Sequence, residues 1–179
     1  MQYEAIRQGI PDGLHITVLH VGERQTVVAA GTGAEPVAVL KLAAGSQKTA
    51  AEFFHHDPPT LGEMENAIVA VEDAIAGAQK IISDSSRLFT MDDAIRNIAR
   101  ISGVPDGAEL ILTRDAMERT FERLAAVILG RQNPREEIPS YLTFAATLLI
   151  LREFMHHLQF LSITVKKGNR SDIAGAMQT

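Results

Sequence analysis

Residues 18–31 read VLHVGERQTVVAAG, two apolar runs joined at a bend that carries Gly22, Glu23, Arg24 and Gln25. Phosphate is often held by a strand–turn–strand of this kind, because backbone N–H groups converge on an anion when no Cβ atoms stand in the way. Gly22 suits that task. Glu23 opposes it, since a carboxylate beside a bound anion costs on the order of a few kcal/mol at an effective dielectric near 20. Arg24 can contact an anion or pair with Glu23, and the plainer expectation is an exposed hairpin tip with a solvated charge pair. A second basic stretch, VKKGNR at 165–170, includes Arg170 and reads as a surface turn able to meet an anion.

The histidines raise metal binding. His55-His56-Asp57 and His156-His157 are adjacent ligand types, and His15 and His20 flank the first apolar run. Adjacent side chains on a helix diverge by about 100°, whereas zinc sites use i, i+4 spacing or gather ligands from several elements. Both pairs fall at expected helix ends, where imidazolium meets the negative end of the helix dipole. No metal site is therefore expected, His20, His55, His56 and Asp57 being the weak candidates. The acidic pairs Glu72-Asp73, Asp92-Asp93 and Glu136-Glu137 read as solvated surface. No G-x-S-x-G elbow, Walker A run or G-x-G-x-x-G pattern occurs.

The elements that must position these groups come from a chain of 179 residues, 46% of them apolar, with a formal charge of −5 and no cysteine. Its length fits one domain over 1–179 with a sizeable core. The acidic balance and the scarcity of aromatics argue against nucleic-acid binding. No apolar stretch approaches the roughly 20 residues of a membrane span, and no secretory signal is evident, so a reducing cytoplasm is the expected home.

A short helical lead-in ends at Pro11-Asp12-Gly13. Runs at 14–21, 25–31 and 36–45, rich in Val, Ile, Thr and Leu, predict an antiparallel three-strand meander. Ser46 is the expected N-cap of a helix stopped by Asp57-Pro58-Pro59, and Thr60 with Glu63 forms a capping box opening another, which Gly77 ends. KIIS at 80–83 is expected as a short strand. Thr90 with Asp93 is expected to cap a helix to Ile101, ended by Gly103. An extended ELILT leads through Thr113 to a further helix; residues 133–140 form a loop, 141–158 the last helix and 160–165 a closing strand. Helices alternating with strands of mixed direction define an α/β domain, the meander being extended by further strands and flanked by helices.

Taken in series, HVGERQT at 20–26, VLKLAAGSQKTAAEFF at 39–54, HHDPPTLGEMENAI at 55–68, FAATLLILREFMHHL and SITV resemble the C-terminal half of the catalytic unit of the exopolyphosphatase/guanosine pentaphosphate phosphatase family. That family belongs to the actin-like (ribonuclease H-like) superfamily. The resemblance implies phosphate binding by Gly22, Arg24 and Thr26, with Ser85, Ser86 and Arg170 completing it, and Mg2+ as cofactor, if a phosphatase reading holds. His20 stands where the family has an aspartate, one glycine survives of three, and the second loop has become DSSRLFTMDDA. The family's water-activating carboxylate is expected from its other half. The resemblance thus implies a non-catalytic domain with degenerate phosphate loops and no cofactor, acting as a regulatory or scaffolding protein through a homodimer or a separate protein partner. The alternative it leaves is a phosphatase or phosphate-ester binder whose cleft dimerisation completes.

Overall fold

The computed structural model describes residues 2–131, 138–139 and 141–168. The first helix, α1 (Gln2–Arg7), precedes three strands, β1 (Ile16–Val21), β2 (Thr26–Gly31) and β3 (Ala38–Leu42). These pair antiparallel, with Val18 opposite Ala29 and Val28 opposite Leu40. The chain continues through α2 (Ser46–Phe53), α3 (Leu61–Ile75), a 3-10 turn (Ala76–Lys80), β4 (Arg87–Thr90), α4 (Asp93–Ile101), β5 (Glu109–Thr113), α5 (Arg114–Ile128), α6 (Leu142–His157) and β6 (Ser162–Lys166). The sheet order is β3-β2-β1-β4-β6-β5. Strands β1, β4 and β6 run parallel, and β5 is antiparallel to β6. The meander is extended by further strands, as the sequence predicts.

Side-chain alternation divides the sheet. Leu19, Val21, Val28, Leu110, Leu112, Ile163 and Val165 belong to the main core with α6, whose residues from Phe144 to Leu151 are all buried. A helix buried on nearly every side is a central one. Ile16, Val18, Ala29 and Phe89 point to the opposite face, where Tyr3 and Ile6 of α1 cover them. That alternation also carries His20, two residues beyond Val18, to the α1 face.

Some sequence expectations need correction. KIIS is no strand: Lys80 ends the 3-10 turn, and the parallel strand begins at Arg87. Periodicity cannot separate a four-residue apolar run from a turn, and KIIS and RLFT each hold two strand-favouring residues, so the choice between them rests on packing rather than local propensity. Gly77 lies inside that 3-10 turn and does not end α3. Gly45, with extended backbone, is the N-cap residue of α2, and Ser46 is already helical. Thr90 does not cap α4; its hydroxyl accepts from the Asp92 N–H, and Asp92 occupies the N-cap position. Gly103 does close α4, at φ 88°, with its N–H on the Arg100 carbonyl and that of Val104 on Ala99. This is a Schellman closure, which favours glycine at the left-handed position. Most of the expected loop at 133–140 lies outside the described residues.

The capping box at α3 forms as predicted. Thr60 Oγ1 accepts from Glu63 N at 3.2 Å, and Glu63 Oε2 accepts from Thr60 N at 2.9 Å. The Glu63 carboxyl is held at about 2, first by the His56 hydrogen bond, with the Thr60 and His55 N–H groups adding to it. Because the folded value is depressed, this contribution is present above the unfolded value of about 4.3 and is lost as pH falls toward 2. Thr60→Ala is expected to cost about 1 kcal/mol in urea unfolding at pH 7. Glu63→Gln should flatten the acid limb of the stability profile below about pH 4 relative to wild type.

Candidate functional site

In open sheets with parallel strands, ligands bind outside the carboxyl ends of those strands. Here that end brings together the tip of β1, the segment after β4 and the start of α1. Asp92, buried, is the pivot. Its Oδ2 accepts from the Val21 N–H at 2.7 Å, and its Oδ1 accepts from Gln2 Nε2 at 2.8 Å. His20 Nδ1 lies 2.6 Å from the same Oδ1. Gln2 is fixed in turn by its own Oε1, which accepts from the Met91 N–H at 3.2 Å. The His20 side chain remains 48% exposed.

The hydrogen bond to Asp92 raises the His20 pKa; partial burial opposes this and the charge of Asp92 adds to it. A raised value extends the pH range over which His20 is imidazolium and pairs with Asp92 as an ion. Since the folded value exceeds the unfolded one of about 6.5, the stabilisation is complete below that pH. It fades as pH rises through the folded value. The stability lost in His20→Ala is therefore expected to be larger at pH 6 than at pH 8, measured by urea unfolding of both proteins at each pH.

The neighbouring turn is also internally satisfied. The Gly22 N–H donates to the Gln25 carbonyl at 3.0 Å, closing the hairpin. The Gly22 carbonyl accepts from Ser46 N–H at 2.9 Å, and the Glu23 carbonyl accepts from Gln47 at 2.9 Å and Lys48 at 3.0 Å. These are N–H groups of the first turn of α2, the kind a helix offers to a phosphate. Thr26, fully buried, donates its hydroxyl to the Ala44 carbonyl at 2.7 Å. Glu23 and Arg24 are exposed, and no ion pair joins them among the described residues. Arg24, Lys41 and Lys48 line a groove of about 650 Å3, whose one acidic lining residue, Glu52, is paired with Lys48.

Of the residues singled out in the sequence, Gly22, Arg24, Thr26 and His20 do share this end. Ser85 and Ser86 do not join them. Ser86 precedes β4, its hydroxyl 2.7 Å from that of Thr17, and the Arg87 N–H donates to the His15 carbonyl. The six residues of β1 separate His15 from Gly22, roughly 20 Å. Ser85 is exposed there, with its hydroxyl 3.2 Å from that of Ser83. The misplacement follows from reading the strand at KIIS; the connection after the true strand is Met91-Asp92, with α4 beginning at Asp93. Arg170 lies outside the described residues.

His55 and His56 both turn to Glu63, through a backbone N–H at 3.1 Å and Nδ1 at 2.7 Å, and gather no further ligand; Asp57 is exposed beside them. His156 and His157 occupy the last turn of α6 as expected, but face carboxylates of neighbouring helices, Glu118 and Glu72. Asp92 is the residue that sequence reasoning passed over as solvated surface. The signal was available: it follows a β run and stands at a helix N-cap, a position that faces the strand ends.

This arrangement, an antiparallel meander continued by parallel strands with polar groups at their carboxyl ends, defines an actin-like α/β domain. Solved structures agree. The Aquifex aeolicus PPX-GPPA enzyme is similar with a TM-score of 0.76 and 17% identity, over 97% of this chain and 60% of its own. A second structure of the Aquifex aeolicus Ppx/GppA family member gives 0.72 and 16%, over 99% and 62%. An exopolyphosphatase from Cytophaga hutchinsonii gives 0.69 and 15%, over 92% and 57%. The chain therefore has the fold of the Ppx/GppA phosphatases and spans about 60% of the length of those structures. No protein-family model and no curated protein matches the sequence. Among the described residues, no helix is long and apolar enough to cross a membrane.

Proposed function

We propose that this chain is a non-catalytic exopolyphosphatase-like domain that works as a regulatory or scaffolding protein through contacts with a second copy or another protein. One observation carries the reading. At the strand ends, the groups that would meet a phosphate or its metal are engaged with each other. Asp92 has three internal partners, and the first turn of α2 is capped by the Gly22 and Glu23 carbonyls. Opening either for a ligand means breaking these hydrogen bonds, of which the one from the Val21 N–H to Asp92 is buried, each worth about 1 kcal/mol net and more where charge is involved. Incubation with polyphosphate, guanosine pentaphosphate or nucleoside triphosphates and Mg2+ is expected to release no phosphate above a protein-free blank.

The contact role has its own support. Edge strand β3 exposes Val39, and Val37 just before it is 82% exposed. Unpaired edges with apolar side chains invite pairing with another chain. Light scattering after size exclusion should give about twice the 19.4 kDa chain mass. A monomer at micromolar concentration would remove the homodimer form of the proposal.

A second reading is favoured by the groove of Arg24, Lys41 and Lys48, whose positive charge suits a phosphate ester or polyphosphate. Phosphate release that disappears in Arg24→Ala would establish it over the first.

A further inference from the structure

We infer that the free edge of β3, with the basic groove at its end, docks an extended acidic segment of a separate protein, which adds to the sheet as a further strand. This names the partner in the contact form of the proposed function and rests on that reading.

Two independent observations converge on it. The first is the edge itself. Strand β3 ends the sheet order and pairs with β2 alone, so the backbone groups along its outer side are open to another strand. Val39 stands opposite Ala29, on the face that α1 covers farther along the sheet, and it is 47% exposed. Val37, just before the strand, is more exposed still. Lys41, two residues beyond Val39, shares that face and is exposed.

The second observation is charge. The chain carries a formal charge of −5, yet the groove of about 650 Å3 that begins at Lys41 and Leu42 gathers Arg24, Lys41 and Lys48. Lys48 is paired with Glu52, whereas Arg24 and Lys41 meet no carboxylate among the described residues. An acidic strand neutralises them. A second copy of β3 would instead bring another Lys41 to the same edge, so the charge selects against self-pairing.

The register sets the character of the segment. Antiparallel pairing is the stronger arrangement, and a strand antiparallel to β3 meets Lys41 before Val39. The segment therefore carries acidic residues at its N-terminal end, over Lys41 and Arg24. Two positions after the acid that faces Lys41 comes a β-branched residue, packed on Val39. Backbone pairing supplies the affinity and the alternate side chains the specificity, as in other cases of strand addition.

A fluorescein-labelled peptide, Asp-Glu-Asp-Glu-Thr-Val-Thr-Val, titrated with the full chain and followed by fluorescence polarisation, should bind saturably and more weakly as salt is added. Lys41→Glu and Arg24→Glu, both at exposed positions, should each weaken binding about tenfold with circular dichroism unchanged. Lys41→Glu should regain affinity for the peptide whose last glutamate is replaced by lysine. Of two peptides N-methylated at alternate amides, one along each edge, one should bind and the other fail, because only one edge pairs. These outcomes are independent of phosphate release, which tests the non-catalytic reading, so either can fail alone. No saturable binding at hundreds of micromolar protein, equal affinity in wild type and Lys41→Glu, or equal binding of both N-methylated peptides would overturn the proposal. A dimer of the chain that excess peptide leaves intact would also overturn it, assigning the edge to a second copy.

Discussion

Gly45→Ala is expected to lower stability by about 3 kcal/mol, although alanine is ordinarily harmless at the extended backbone angles found there. Gly45 has φ −146° and ψ 159°, open to any residue, so the cost is not torsional. It is contact. A Cβ at this position would lie 2.4 Å from the Arg24 carbonyl carbon, 2.6 Å from Gln25 N and 2.6 Å from the Glu23 oxygen. All three are backbone atoms, which cannot rotate away as the end of a long side chain can. The hairpin turn must move, and with it go the bonds from Ser46, Gln47 and Lys48 to the Gly22 and Glu23 carbonyls. Overpacking alone costs about 1–3 kcal/mol, and exposing the capped first turn of α2 adds to it. Gly62, helical and with nothing within 4 Å of an added Cβ, gives the contrast. Gly62→Ala should stabilise by up to about 1 kcal/mol. Urea unfolding of both variants checks the pair of signs.

Asp92→Ala should cost a similar amount, about 3 kcal/mol, and erase the pH-dependent contribution of His20. The substitution leaves the Val21 N–H without its acceptor at a buried position, about 1–3 kcal/mol. It also deprives Gln2 and His20 of their shared partner, so α1 loses a polar tie to the sheet. Asp92→Asn, which keeps an oxygen for Val21 but not the charge for His20, should fall between. Asp93, exposed next door, sets the baseline: Asp93→Ala should stay within about 0.5 kcal/mol apart from a small helix-dipole effect. Melting temperatures should track these values at roughly 2–4 °C per kcal/mol for a chain of this size. Equal loss in Asp92→Ala and Asp93→Ala would contradict the network.

Local signals carried most of the fold. The alternating apolar runs before residue 45 specify the meander because one face of β1 and β2 joins the main core while Ile16, Val18 and Ala29 turn to α1, and the edge strand β3 keeps Leu42 inside and Val39 outside. The Thr60–Glu63 box and the Gly103 closure are decided within a few residues, so they read directly from sequence. What could not be read depends on which strand lies beside which. Asp92 belongs with His20 because β4 pairs parallel to β1, a contact between residues 72 positions apart. Ser86 is removed from Gly22 by the same pairing.

The central claim is that the turn after β1 and the start of α2 are closed on each other, leaving no cradle for phosphate. Amide chemical shifts of Gly22–Gln25 and Ser46–Lys48, followed by NMR as pyrophosphate is added to millimolar levels with Mg2+, test it most directly. The account predicts that these resonances stay in place. Saturable shifts confined to them, reduced in Arg24→Ala, would contradict it.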